Sequence, residues 1–166
     1  SEVTTFSQGP DIQVNESVIV HGDEYLVPGG RFDSNFGGQI ISVNALTGAR
    51  KVISDNSIGI GDEYSGYFDE VRTAHLVSAV IDSETNNLIA FEFWTNKIFS
   101  INLGTFDRKV ISNVSWADNQ EIEVRSSSLK IDDCAAVLYM VDENRNAILL
   151  VDIRTGDKVI LSKSDS

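Results

Sequence analysis

Short apolar runs closed by tight turns make up most of this chain. Between Val137 and Ser162 the runs VLYMV, AILLV and VIL are separated by the turn-forming residues ENRN and RTGD. Apolar runs bounded by such turn-forming residues are typical of antiparallel strands joined by hairpins. The sequence shows no helical periodicity over any useful length. The pattern therefore predicts an all-β fold.

The same pattern occurs three times. A shift of 50 residues places Ile81–Ser112 on Ile131–Ser162 without a gap, and a shift of 58 places Ile41–Ser54 on Phe99–Ser112. Strand-only units at this period are typical of β-propeller blades. In an ordinary antiparallel sandwich the three segments would resemble one another only by chance. We predict a single partial propeller domain over residues 1–166, made of three four-stranded antiparallel blades. Their expected bounds are about 11–54, 71–112 and 124–162.

Two segments carry a family resemblance, LYMVDENRNAILLVDIRTGDKVILS at residues 138–162 and LIAFEFWTNKIFSINLGTFDRKVIS at residues 88–112. They resemble blades of the gluconolactonase-like, NHL-repeat and TolB-like six-bladed propellers. The resemblance implies the architecture and leaves the activity open, because such blades serve both enzymes and binding proteins. Gluconolactonase-like enzymes hold a divalent metal at the channel mouth with carboxylates and amides. Here the resemblance implies Asp69, Glu70 and Asn119 as candidate ligands, for a cation such as Ca²⁺, and no residue matches a catalytic role.

The outer hairpins follow from their turn residues. Thr47-Gly48 and Thr155-Gly156 predict tight turns in which glycine supplies a positive φ. Blade two has Phe106 at this position, so we expect a different turn there, with the positive φ moved to Gly104. The outer strands are expected near Arg50–Ser54, Arg108–Ser112 and Lys158–Ser162.

Several single residues have structural interpretations. Asp82 and Asp132 occupy equivalent positions after two inner strands, which indicates that they cap turns. Pro28 is expected in a loop over residues 28–38, outside strand interiors. Cys134 is expected to fill a turn, and as the one cysteine it can form no internal disulfide.

Long connectors and hairpins are expected to gather at one end of the blades, a surface that we call the loop face. It comprises residues 28–38, 55–70, 94–97, 113–124 and 143–146, and it is rich in acidic and aromatic side chains. Such loops often present a site for a sugar or a cation, although each ring could instead pack beneath its own loop. The candidate ligand-binding residues are Phe36, Asp62, Glu63, Tyr64, Tyr67, Asp69, Trp94 and Trp116.

Charge narrows the range of partners. The formal net charge of −12 argues against nucleic acid and anionic membranes, because both need cationic surfaces. No run reaches the length of a membrane helix, so membrane insertion is not expected. The polar start at Ser1 would suit a mature secreted protein or a trimmed chain, so the location is open, with a secreted or periplasmic one slightly favoured.

The function predicted first is a non-enzymatic ligand- or protein-binding module that uses the loop face. The alternatives are a divalent-metal-dependent hydrolase or lactonase and a structural subunit of a larger assembly. No catalytic triad is apparent, since neither His21 nor His75 lies near a candidate nucleophile. Three blades do not close a ring. We therefore expect either a six-bladed homodimer or further blades from a longer polypeptide.

Overall fold

The computed structural model describes residues 9–10, 17–30, 38–65, 67–69, 72–73, 76–93, 95–114, 129–132, 134–142 and 146–163. In these ranges the chain forms three four-stranded antiparallel sheets and one short hairpin, β5–β6. Within each sheet every strand pairs with the next one in sequence. The three four-stranded antiparallel units and the all-β class that we predicted are confirmed.

The strands follow the apolar runs. Blade one contains β1 (Ile19–His21), β2 (Glu24–Gly30), β3 (Gly38–Asn44) and β4 (Arg50–Ser54). The hairpin β5 (Tyr67–Asp69) and β6 (Arg72–Thr73) comes next. Blade two contains β7 (Leu76–Asp82), β8 (Asn87–Glu92), β9 (Lys97–Asn102) and β10 (Arg108–Asn113). Blade three contains β11 (Lys130–Asp132), β12 (Val137–Asp142), β13 (Ala147–Asp152) and β14 (Lys158–Lys163). The three outer strands, β4, β10 and β14, begin at the predicted residues.

The outer hairpins share one turn, and our expectation for blade two is wrong. Gly48 and Gly156 have the predicted positive φ, at 69° and 80°. Phe106 has φ 63°, so it adopts the same backbone conformation and the positive φ does not move to Gly104. The Phe106 N–H donates to the carbonyl of Asn102 at 2.7 Å, just as the Gly48 N–H donates to Asn44 at 2.8 Å.

Side-chain hydrogen bonds explain why the turn survives without glycine. The Asn102 Oδ1 accepts from the backbone N–H groups of Gly104 and Thr105, at 2.9 and 3.0 Å. Asp152 Oδ1 accepts in the same way from the N–H of Thr155. The ring of Phe106 also packs against the buried apolar cluster between blades one and two. This burial offsets the cost of a positive φ, which is about 1–2 kcal/mol for a residue with a Cβ.

The position of Pro28 corrects a second expectation. It lies inside β2, in register with Ile40 of β3, and not in a loop. A proline breaks a strand when its missing N–H is needed by a neighbour. The paired part of β1 faces β2 only from Glu24 to Leu26, so among the described residues β2 pairs at Pro28 with β3 alone. Proline is tolerated at such an edge.

The inner turns are capped as predicted. The Asp82 carboxylate accepts from the N–H of Glu84 at 3.1 Å and from the hydroxyl of Thr85. Asp132 accepts from the N–H of Ala135 at 3.1 Å, and Cys134 is exposed in this turn. The recurrence of these aspartates is therefore structural.

Within the described ranges, two apolar clusters lie in the core, one at each boundary between blades. Strands of blades one and two enclose the first cluster, which includes Ile40, Leu88 and Phe99. Strands of blades two and three enclose the second, which includes Phe91 and Leu138. Blade two thus buries an apolar flank against each neighbour, which is how propeller blades are held side by side.

Candidate functional site

The loop after β4, residues 55–65, runs along the outer edge of blade two. Gly61 forms a parallel bridge with Arg108 at the start of β10. The N–H of Arg108 donates to the carbonyl of Ile60 at 2.7 Å, and the N–H of Asp62 donates to the carbonyl of Arg108 at 3.2 Å. A Cβ on Gly61 would lie 1.9 Å from the Arg108 carbonyl oxygen. Glycine is therefore required for this close approach.

The side chain of Arg108 fixes the path of the loop by binding its backbone carbonyls. One guanidinium nitrogen donates to the carbonyl of Asp55 at 2.6 Å and to the carbonyl of Ile58, and Nε donates to the carbonyl of Asp62 at 3.0 Å. Arg108 is 5% exposed. Its guanidinium carbon lies 5.0 Å from the centroid of the Tyr64 ring, which is a cation–π geometry. The loop is thus attached to blade two by a buried charge.

Tyr64 is buried beneath this loop rather than exposed on it. It is 1% exposed, and its ring meets Phe99 edge-on with 4.9 Å between ring centroids. Its hydroxyl lies 3.0 Å from the hydroxyl of Ser54, and the Asn56 side chain bonds both its N–H and its carbonyl. Burial raises the pKa of the Tyr64 hydroxyl. A ligand at the surface would not reach this ring, so Tyr64 supports the loop from within.

The acidic residues on this loop and in the β9–β10 turn beside it divide into two kinds. Asp62 Oδ2 accepts from the N–H of Val110 at 2.6 Å, so part of this carboxylate stabilises the edge of β10. Asp107 accepts from the N–H of Ile60 at 2.9 Å, and this bond lowers the pKa of the Asp107 carboxyl. Glu63 is exposed. Glu63, with the free side of Asp62, gives the loop its outward negative charge.

A buried carboxylate lies where the loop returns toward blade two. Glu92 at the end of β8 is 0% exposed and accepts from the N–H of Ser65 at 2.8 Å and from the hydroxyl of Thr95. Lys97 lies opposite Glu92 in the register of β8 and β9, and its Nζ donates to the Ser65 hydroxyl at 3.2 Å. Our sequence reasoning missed Glu92. The repeat offered a signal, because the 50-residue shift places Glu92 on Asp142, which is also 0% exposed.

The other candidate residues lie in β5 or outside the described residues. Tyr67 and Asp69 are the first and last residues of strand β5. The candidates outside the described residues are Phe36, Glu70, Trp94, Trp116 and Asn119. Of the predicted ligand-binding residues, the structure thus brings Asp62, Glu63 and Tyr64 together on one loop, with Tyr64 on its inner side.

The described ranges offer no metal centre. Among their side chains, no three or more His, Cys, Asp or Glu residues come together so as to hold a metal ion. The metal candidates Asp69, Glu70 and Asn119 therefore stay a prediction. In the same part of the chain, no helix is both long and apolar enough to cross a membrane.

Comparison with known proteins finds likeness in structure and not in sequence. No protein-family model and no curated protein matches the sequence. A chain in the crystal structure of a nidogen/laminin complex is similar with a TM-score of 0.53 and 14% identity, over 77% of this chain and 41% of that one. Dihydro-heme d1 dehydrogenase NirN, in complex with DHE, is similar with a TM-score of 0.53 and 8% identity, over 86% of this chain and 26% of that one.

These matches establish the fold. Identities of 14% and 8% carry no functional inference, while both neighbours contain propellers. This chain spans 41% of one and 26% of the other. Its three sheets are propeller blade repeats, and together they form part of a β-propeller.

Proposed function

We propose that this chain is a non-enzymatic protein-binding module, and that the outward side of the loop over residues 55–65 contacts a basic segment of its partner. The observation that carries the proposal is the exposed carboxylate of Glu63, next to Asp62, on a loop that Arg108 and Tyr64 hold in place. A charge on a fixed loop loses little conformational entropy on binding, so it favours specific contact.

The overall charge supports a basic partner. The net charge of −12 attracts cationic surfaces from a distance and accelerates their association at low ionic strength. The structural neighbour in a nidogen/laminin complex supports a protein partner, since a propeller-containing chain takes part in a protein complex there. A secreted or periplasmic location would be compatible with this role. A sugar as ligand stays a prediction.

The test is to compare the same charge reversal at two places. Binding of a fluorescent deca-arginine peptide is measured by anisotropy for Glu63→Lys and for Glu24→Lys. Glu24 is also exposed, but it is the first residue of β2 in blade one and lies outside the loop over residues 55–65. Both variants have the same net charge, so a difference between them reports the position of the charge.

We expect Glu63→Lys to weaken binding roughly threefold to tenfold more than Glu24→Lys, as for a charge at the rim of an interface. The effect should fade as salt is raised, because exposed charges are screened. Equal losses in the two variants would mean that the peptide senses only net charge, and the proposed site would then be wrong.

A further inference from the structure

In blade two, a glycine lies against the first residue of the outer strand. Gly61 forms a parallel bridge with Arg108, and a Cβ on Gly61 would lie 1.9 Å from the Arg108 carbonyl oxygen. The N–H of Arg108 donates to the carbonyl of Ile60, and the N–H of Asp62 donates to the carbonyl of Arg108. Asp62 Oδ2 accepts from the N–H of Val110 at 2.6 Å. Residues 60–62 thus add to the outer edge of β10 as a short parallel strand.

Blade one has a glycine at the same place. A Cβ on Gly9 would lie 2.9 Å from the carbonyl oxygen of Arg50, the first residue of β4. Arg50 and Arg108 are equivalent in the repeat. In the sequence an aspartate follows each glycine within two residues, Asp11 in blade one and Asp62 in blade two. The outer strands of both blades therefore have a neighbouring segment whose glycine permits close approach of the two backbones.

The outer strand of blade three is exposed along its whole length. All six residues of β14 are exposed, with Val159 at 58%, Ile160 at 40% and Leu161 at 55%. In β10, by contrast, Arg108 and Ser112 are buried. Among the described residues, β14 pairs with β13 alone. Its outer edge therefore offers hydrogen-bonding groups of the kind that β10 shares with residues 60–62.

The connector before blade three lacks the residue that this contact requires. Residues 114–129, which join β10 to β11, contain no glycine. Lys158 is the equivalent of Arg108, and any residue other than glycine at the position of Gly61 would bring a Cβ against its carbonyl oxygen. Blade three thus keeps the receiving strand, while its own connector cannot reproduce the contact.

The edge of β14 keeps the register of β10. Ile160 lies opposite Leu149 in blade three as Val110 lies opposite Phe99 in blade two, and both pairs are related by the 50-residue shift. Because the N–H of Val110 is directed outward to Asp62, the N–H of Ile160 is directed outward as well. An aspartate carboxylate from another chain can therefore bind β14 as Asp62 binds β10.

We propose that the outer edge of β14 binds an extended acidic segment of a partner protein, in parallel orientation, in which an aspartate follows a glycine. The glycine passes the carbonyl of Lys158, and the aspartate carboxylate accepts from the N–H of Ile160. β14 carries Lys158 and Lys163 and no carboxylate, so its local charge favours an acidic segment. In strand addition, main-chain hydrogen bonds supply the affinity and individual side chains the specificity. This contact is separate from the one proposed at Glu63.

The probe is a peptide with the sequence of residues 57–64 of this chain, SIGIGDEY, with both ends blocked. It is titrated into the isotope-labelled full chain, and the amide chemical shifts are followed by NMR. We expect saturable shifts at the amides of β14, with a dissociation constant below about 1 mM. A weaker or absent response overturns the proposal. Shifts centred on β10 also overturn it, because the peptide would then only replace the loop of the chain itself.

Three altered peptides test the chemistry of the contact. The Gly61→Ala peptide should bind at least about tenfold more weakly, because its Cβ meets the carbonyl of Lys158. The Asp62→Asn peptide should bind about threefold more weakly, because it loses a charged acceptor. Ile60→Ser is the control, since this side chain is 79% exposed in its own loop, and its peptide should bind within about twofold of the original. If either of the first two peptides binds as tightly as the original, the proposal is wrong.

The orientation of the bound peptide is a separate test. A nitroxide at the amino end of the peptide should broaden the amide signal of Lys158 more than that of Lys163, and a nitroxide at the carboxyl end should do the reverse. Antiparallel addition would give the opposite order. That result would overturn the proposal, because the glycine and the aspartate would then not meet Lys158 and Ile160 as Gly61 and Asp62 meet β10.

Discussion

The guanidinium of Arg108 donates a hydrogen bond of 2.6 Å to the backbone carbonyl of Asp55, across the boundary between blades one and two. Across the next boundary, Lys158 Nζ donates to the carbonyl of Asn113 at 2.8 Å. Asp55 and Asn113 are 58 residues apart and occupy equivalent positions in the repeat, Asp55 directly after β4 and Asn113 as the last residue of β10. The repeat therefore contains a recurring contact between a cation and a carbonyl, in addition to its recurring strands.

The first prediction concerns removal of this cation. Arg108→Met should lower the free energy of unfolding by about 2–4 kcal/mol, because several carbonyl oxygens under the loop lose their donor. The free energy of unfolding of Arg108→Lys should fall between those of Arg108→Met and the unaltered protein, since Lys158 makes such a contact in blade three. The exposed neighbour provides the control, and Lys109→Met should stay within about 0.5 kcal/mol of the unaltered protein. Urea unfolding gives all three values, and equal losses at the two positions would contradict the argument.

The second prediction compares two glycines that both have a positive φ. A Cβ on Gly156 would lie 2.1 Å from the carbonyl oxygen of Ile111, whereas a Cβ on Gly22 would meet nothing within 4 Å. Gly22→Ala should cost about 1 kcal/mol through backbone strain alone. Gly156→Ala should cost about 1–3 kcal/mol more, because blades two and three must separate slightly. Thermal unfolding measures both, and equal midpoints would mean that the blades do not meet so closely.

The third prediction concerns the buried hydroxyl of Tyr64. Tyr64→Phe should cost about 1 kcal/mol at pH 7, because the Ser54 hydroxyl loses its partner. Burial raises the pKa of Tyr64, so the folded protein disfavours the ionised ring. The stability that neutral Tyr64 contributes is present below the unfolded pKa of about 10 and is lost as the pH rises above it. The difference between the two proteins should therefore shrink above about pH 10, and a difference that stays constant through this range would contradict the argument.

The fourth prediction concerns acid. The hydrogen bond from the N–H of Ile60 lowers the pKa of Asp107 below 3.8 in the folded protein. A lowered carboxyl pKa contributes stability that is present above the unfolded pKa and is lost as the pH falls through the folded pKa. Asp107→Asn removes this dependence. The thermal midpoint of the unaltered protein should therefore fall more steeply than that of the variant below about pH 4, and parallel curves would show that the bond has little effect.

The strands and most of the turns could be predicted because they are local and repeated. Thr47, Thr105 and Thr155 are identical in the aligned turns, a sign of one hairpin type that we did not use when we predicted a different turn in blade two. We still misjudged Phe106, because we weighed its steric cost and not the hydrogen bonds of Asn102 or the burial of its ring. Pro28 was misplaced for a similar reason, since the sequence does not show how far β1 extends.

The loop over residues 55–65 was harder to predict because its path depends on distant contacts. The two glycines of GIGD gave no indication that one of them lies against Arg108, 47 residues later. Nor does the presence of an aromatic residue in an acidic loop show whether its ring is exposed or, as for Tyr64, buried. Such choices are settled by backbone carbonyls, which have no signature in sequence.

The parallel bridge between Gly61 and Arg108 also has a consequence for self-association through backbone pairing. Residues 60–62 occupy hydrogen-bonding groups on the outer side of β10 that would otherwise accept a strand from another molecule. All six residues of β14 are exposed, including Val159, Ile160 and Leu161. Lys158 and Lys163 stand at the two ends of this apolar run, where their charges oppose the stacking of identical strands. Aggregation by strand addition should therefore begin at β14 and not at β10, and neutralising these two lysines should accelerate it.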